Sequence, residues 1–258
     1  MKKKQYSKSV EPDPWQSLKT YTDARIALGH TGGAIPLKEV LQFKLAFAHA
    51  KDAVYSELDW LKLEQRLKQL AVPHLKLHSR ASSRSVYLQR PDWGRSLNEA
   101  SVASLKEMPK IDHDIAIVLA DGLSATAINQ HAMPLLQRLI PDLQKNSYRI
   151  APITVAEQAR VAIGDEIACL LRAKLVVVFI GERPGLSSPY SMGAYMTYAP
   201  TPGLTDERRN CISNIRPEGL PYEMAKQKIL YLIQESLRLQ LSGVALKDNA
   251  DPGFLELP

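Results

Sequence analysis

The sequence predicts an α/β fold, a parallel sheet with helices on both faces, preceded by a small helical N-terminal region. Three observations carry this reading. Short apolar runs rich in β-branched residues at 115–120, 150–155 and 175–180 alternate with stretches of helical periodicity, the pattern of a parallel sheet covered by helices. Before residue 73, apolar side chains recur at helical spacing, at Trp60, Leu63, Leu67 and Leu70. The chain has 258 residues, 45% of them hydrophobic, enough for a sizeable core in one large domain or two small ones.

Taken in order, residues 1–22 combine Lys, Pro, Ser and Asp without apolar periodicity, the composition of an arm that cannot bury itself. Residues 23–85 form the helical region. Its first helix is expected from Pro36, which suits a first helical position, with Glu39 in the first turn, and runs toward Tyr55. Its second helix carries the Trp60 to Leu70 pattern and is stopped by Pro73. Residues 86–110, with Pro91 and Gly94 among Ser, Arg and Asn, form a loop-rich connection with one short strand at 86–88. The α/β domain spans 111–245: strand 115–120, helix to about Leu139, strand 150–155, helix to about Leu171, strand 175–180. It closes with a helix over 222–242, where Ile229, Ile233, Leu237 and Leu241 share one row and Gly243 is the expected C-terminal cap. Residues 246–258 are a tail.

The net charge of +6 is scattered, apart from Lys2, Lys3 and Lys4, so no nucleic-acid footprint is expected. The apolar runs fall far short of the roughly 20 residues of a membrane-spanning helix. Met1 and three lysines lead into Gln5, Tyr6, Ser7 and Lys8, not into an apolar signal segment. The two cysteines, Cys169 and Cys211, form no C-x-x-C pair, which points to reduced intracellular thiols and neither a disulfide framework nor a structural zinc site.

The stretch IAIVLADGLSATAIN, residues 115–129, places Gly122, Ser124 and Thr126 on a strand-to-helix turn. It nearly matches the G-x-S-x-G nucleophile elbow, with Thr126 in place of the last glycine. Three readings stay open: a serine hydrolase with Ser124 as nucleophile and His131 or His113 as base; a structural turn in which Gly122 supplies backbone freedom and Ser124 caps the helix; and a helix N-terminus offered to a ligand oxygen. His74 and His78 have the spacing of two metal ligands on a helix face, but no H-E-x-x-H glutamate lies between them and surface histidines are expected. No G-x-G-x-x-G or Walker A motif occurs, so neither NAD nor ATP has a fingerprint. Gly181-Glu182-Arg183-Pro184-Gly185-Leu186 follows the strongest strand and so lies on the edge where open α/β sheets bind ligands. Cys211 is set among Asn210, Ser213 and Asn214.

Several separate stretches, in order, carry a resemblance. They are ARIALGHTGG at 24–33, the helix from Pro36 ending AHAKDAV at 48–54, DIAIVLADGLSA at 114–125, GERPGL at 181–186 and CISN at 211–214. Together they resemble the small (light) subunit of ethanolamine ammonia-lyase, over about residues 23–243. The resemblance implies a Rossmann-like domain that covers adenosylcobalamin against a large TIM-barrel subunit carrying the substrate pocket and most catalytic groups. The implied reaction converts ethanolamine to acetaldehyde and ammonia through homolysis of the cobalt–carbon bond, with hydrogen abstraction by the adenosyl radical. The chain alone is expected to be inactive, and its location cytoplasmic, free or inside a protein-shelled microcompartment. Matching motifs carry three cofactor contacts onto this chain: Val161, Glu182 and Cys211. The resemblance assigns no catalytic residue to this chain. The D-x-H-x-x-G signature is absent, since His113 directly follows Asp112 and His131 lacks both the Asp and the Gly, so a base-on cofactor with no cobalt ligand from this chain is expected. The rival classes are the Ser124 hydrolase and a stand-alone nucleotide-binding or interaction module.

Overall fold

A computed structural model describes residues 10–249; Lys2 to Lys4 and most of the expected C-terminal tail lie outside them. The described residues form an α/β fold with a six-stranded mixed sheet and seven α-helices. The strands are β1 (His74–His78), β2 (His113–Ala120), β3 (Ile153–Glu157), β4 (Ala173–Gly181), β5 (Met192–Tyr198) and β6 (Arg209–Ile215). Their order across the sheet is β1-β3-β2-β4-β5-β6. β2, β3 and β4 run parallel, as expected, and β1 joins them in parallel, whereas β5 and β6 are antiparallel additions to the expected parallel sheet. A ten-residue link from Glu182 to Ser191 lets β4 turn straight back as β5, so no crossover helix intervenes.

The helices are α1 (Leu37–Tyr55), α2 (Trp60–Gln69), α3 (Arg84–Gln89), α4 (Glu99–Glu107), α5 (Ala125–Lys145), α6 (Ile163–Leu170) and α7 (Tyr222–Leu239). Local capping explains one departure from the sequence reading and strand pairing another. The expected strand at 86–88 is α3, because the Ser83 side chain caps it by accepting from the Val86 N–H at 3.3 Å. The His74 to His78 stretch is a strand, not a helix, and pairs with β3 in parallel register. At about 3.3 Å per residue its two histidines stand roughly 13 Å apart, too far to share one ion. Among the described residues no cluster of three or more His, Cys, Asp or Glu could hold a metal, and no helix is long and apolar enough to cross a membrane. Both cysteines are free and exposed.

Alternation along β2 divides the core. Ile115, Ile117 and Leu119 pack with α2, α5 and α7, through residues such as Leu67, Leu136, Ile229 and Ile233. Ala116, Val118 and Ala120 face the other way, against Ile163 and Ile167 of α6 and Leu105 of α4. The helix leaving β2 therefore lies on one face and the helix leaving β3 on the other. Their first turns diverge above neighbouring strands, which opens a crevice at the carboxyl edge. At the end of α7 the left-handed residue is Gln240, with φ +58°, and not Gly243, which serves a later turn at φ +77°.

Candidate functional site

The crevice is built from backbone that cannot tolerate side chains. Gly122 follows β2 with φ +58°, and a Cβ there would lie 2.2 Å from the Gly181 carbonyl oxygen. A Cβ on Gly181 would lie 2.0 Å from the Ser124 carbonyl oxygen. The ends of β2 and β4 thus touch backbone to backbone, joined by the Leu123 N–H donating to the Gly181 carbonyl at 3.0 Å. Asp121 is buried, and its two carboxylate oxygens accept the Gln158 and Ala159 N–H groups at 2.8 and 2.9 Å. This ties the turn after β2 to the turn after β3. Desolvation pushes the Asp121 carboxyl up, opposed by those two donors and by the nearby Arg84. Arg84 completes the frame: its Nη1 donates to the Gly122 carbonyl at 2.7 Å and its Nε to the Val54 carbonyl at 2.6 Å.

These contacts settle the Ser124 question. Ser124 is fully buried and its hydroxyl donates to the Pro189 carbonyl at 3.2 Å. The proposed bases are engaged elsewhere, His131 Nδ1 with the Tyr222 hydroxyl at 2.7 Å and His113 Nδ1 with the Leu171 carbonyl at 2.8 Å, at the opposite end of β2. A buried serine with no histidine beside it is no nucleophile. Ser124 also does not cap α5 through its side chain. That task falls to Ser56, whose hydroxyl accepts from the Thr126 N–H at 3.1 Å. The structural reading of Gly122 holds and the capping reading of Ser124 does not.

The sheet face toward α6 carries the site. Glu182 lies two residues beyond Ile180, a residue of that face. Tyr195 packs against the same cluster and pairs directly with Cys211 across β5 and β6, so Cys211 and, two residues on, Ser213 share this side. Val161 arrives from the turn into α6 and packs against the same cluster. An open cavity of about 560 Å³ is lined by Val161 and Glu182 together with Tyr87, Arg160, Tyr195 and Ser213. A second cavity of about 740 Å³ adjoins it, sharing Arg160, Val161 and Tyr195. Of the three sequence-designated residues, Val161 and Glu182 line the first cavity, while Cys211 stands beside it as the partner of Tyr195.

Side-chain chemistry at this face is constrained. Glu182 Oε1 accepts from the Ser213 hydroxyl and Oε2 from the Asn214 N–H at 3.1 Å. Burial pushes the Tyr195 phenol up. The Cys211 thiol is raised chiefly by desolvation, with Glu182 adding to the effect and the hydrogen bond with Tyr195 opposing it. It is therefore a protonated thiol rather than a reactive thiolate. Two guanidinium groups lie over the Tyr87 ring, Arg84 at 4.8 Å and Arg160 at 4.4 Å from its centroid, and the Tyr87 hydroxyl donates to the Ala159 carbonyl at 3.2 Å. Arg160 Nε is buried without a hydrogen-bond partner.

Sequence reasoning missed Tyr87, Tyr195 and the roles of Arg160, Ser213 and Asn214. The last two stood inside the CISN stretch, and period-two alternation from Cys211 would have put Ser213 on the same face. Tyr87 carries no comparable signal, because a tyrosine in a connection rich in Ser and Arg suits a short strand as readily as a helix.

Comparison with known proteins shows the family of the chain. Residues 12–247 match the family model described as ethanolamine ammonia-lyase light chain (EutC). The ethanolamine ammonia-lyase small subunit of Pseudomonas aeruginosa is 51% identical over 247 residues, covering 95% of this chain and 90% of that protein. That of Pseudomonas putida is 50% identical over 242 residues, covering 93% and 89%, and that of Pseudomonas fluorescens 50% over 251 residues, covering 96% and 92%. The chain belongs to the ethanolamine ammonia-lyase small-subunit (light-chain) family.

Proposed function

We propose that this chain binds adenosylcobalamin, base-on, at the carboxyl edge of its Rossmann-like sheet and closes over it together with a large TIM-barrel subunit that binds ethanolamine. The complex converts ethanolamine to acetaldehyde and ammonia. The observation that carries this is the convergence of Val161, Glu182 and the Tyr195–Cys211 pair on one sheet face at the crevice. These residues fit the group. A carboxylate has about four lone-pair sites; Ser213 and Asn214 occupy two on Glu182, leaving acceptors for the side-chain amides of a corrin. Val161 supplies an apolar contact and Cys211 a small polarizable one. Arg160 brings a buried, unpartnered N–H to the same wall. When bound, the cofactor supplies the radical-generating chemistry; this chain's residues hold and shield it.

A cobalamin is larger than the drug-sized ligands that cavities of this volume enclose, so most of it needs a second wall. A partner surface is at hand. Ile35, Leu37, Leu41, Phe43, Leu45 and Phe47, on or just before α1, are all exposed, an apolar display that a stand-alone module does not carry without a partner. We assign it to the large subunit. The test is reconstitution: activity on ethanolamine appears only when this chain, the large subunit and adenosylcobalamin are combined, and Glu182→Ala weakens cofactor binding by the complex. Activity of this chain alone, or unchanged affinity in the Glu182 variant, overturns the reading.

A further inference from the structure

We propose that Ser213 and Asn214 are positioning residues: they clasp the Glu182 carboxylate from the neighbouring turn of β6 and fix the direction in which its free lone pairs meet the cofactor. This inference rests on the reading of the cavity as the adenosylcobalamin site. Glu182 sits just past the end of β4, where a free side chain would sample several rotamers over an open crevice. Two donors remove that freedom, the Ser213 hydroxyl on Oε1 and the Asn214 N–H on Oε2. The second donor depends on unusual backbone. Asn214 has φ +60°, a left-handed conformation that asparagine tolerates better than most residues.

That conformation is locked from behind. The Asn214 carbonyl accepts from the Leu220 N–H at 2.8 Å, and its side-chain oxygen accepts from Arg216 Nε at 2.9 Å. Gly219 must lack a side chain, because a Cβ there would lie 2.4 Å from the Asn214 carbonyl oxygen. On the far side Gly193 leaves the carboxylate its space, since a Cβ there would approach Oε1 to 3.0 Å. The carboxylate is thus held by two donors and cradled by a residue without a side chain, on strands β5 and β6 that lie apart from it in sequence.

Ser213 is exposed on a strand, so Thr and Val both suit the position and differ from each other only by the hydroxyl. The experiment titrates adenosylcobalamin into the assembled two-subunit complex, following its visible absorption, for wild type, Ser213→Thr, Ser213→Val, Glu182→Gln and the Ser213→Val/Glu182→Gln double variant. Thermal unfolding of each complex is recorded alongside. Loss of a hydrogen bond to a charged group predicts that Ser213→Val weakens affinity on the order of tenfold, while Ser213→Thr stays within about twofold of wild type and all melting curves coincide. In the Glu182→Gln background the Val substitution adds little, since both act through one carboxylate. Equal affinities for the Thr and Val variants, or independent effects in the double variant, overturn the positioning role while leaving the cofactor site standing. An unaltered affinity for Glu182→Gln alone instead overturns the reading of the cavity.

Discussion

Replacing Gly122 by alanine probes the contact that builds the crevice. Two costs follow from the structure. Gly122 has φ +58°, and an alanine held in the left-handed region costs about 1–2 kcal/mol. Its Cβ would also lie 2.2 Å from the Gly181 carbonyl oxygen and 2.5 Å from Ile180 Cγ1, and overpacking of this kind costs about 1–3 kcal/mol. The sum is about 2–5 kcal/mol, equivalent to a fall in Tm of roughly 5–15 °C for a chain of this size. Gly32 supplies the internal control, because it has the same φ of +58° but no atom within 4 Å of its would-be Cβ. Gly32→Ala therefore suffers only the backbone term, and the stiffer unfolded chain offsets about 0.4–1 kcal/mol in both variants alike. The assay is thermal and urea unfolding of both variants by circular dichroism. Since Gly181 directly precedes Glu182, any retreat of Gly181 carries the carboxylate with it, so the proposed cofactor site further predicts a lower adenosylcobalamin affinity for Gly122→Ala in the complex. Equal destabilisation by the two substitutions would refute the argument that backbone contact demands glycine at 122.

Three further outcomes are expected. Asp165 and Arg209 form a bidentate pair at 2.8 and 2.7 Å with side chains only 1% and 2% exposed; Asp165→Ala leaves the buried guanidinium with the exposed Asp206 carboxylate, Thr197 and the Leu204 carbonyl and should cost about 1.5–3 kcal/mol in urea unfolding, and a loss below about 1 kcal/mol would show the pair to be dispensable. Burial lowers the His131 pKa below its ordinary 6.5, outweighing the hydrogen bond to the Tyr190 backbone. The unfolded chain then binds the proton more readily than the folded one, so the contribution of this histidine to stability is complete above pH 6.5 and is lost as pH falls through 6.5 toward the folded pKa. His131→Gln should flatten that part of the stability–pH curve, and an unchanged slope would remove the histidine from it. Phe47→Asp on the exposed face of α1 should alter stability by no more than about 0.5 kcal/mol yet abolish co-purification with the large subunit; retention of the partner would move the interface elsewhere.

Much of the sheet was legible because burial on both faces leaves a direct trace. The runs around Ile117, Val155 and Val177 are continuously apolar, as strands covered by helices on two sides must be, and they became β2, β3 and β4. The edge strands β1 and β6, and β5 between β4 and β6, left weaker traces. β1 is five residues, HLKLH, whose histidines at i and i+4 also suit a helix, and only pairing with β3 decides the matter. β5 contains Gly193 and β6 opens with Arg209, Asn210 and Cys211, so neither presents an apolar run. Their side chains serve the crevice and the buried Asp165 contact instead of a two-sided core.

The sequence by itself marked the short segments around the crevice: the Asp121-Gly122 turn after one apolar run, the Gly181-Glu182 turn after the strongest strand, and the apolar row that packs α7. These are properties of short segments, set by backbone sterics and helical or strand period, and they need no knowledge of distant neighbours. Only the tertiary structure decided how they combine. It removed Ser124 from chemistry by burying its hydroxyl on Pro189, assigned the α5 cap to Ser56, and brought Ser213 and Asn214 of β6 onto Glu182 beyond β4. Such contacts join residues far apart in the chain across the antiparallel β5, because strand order is settled by the packing of the whole sheet rather than by any one strand.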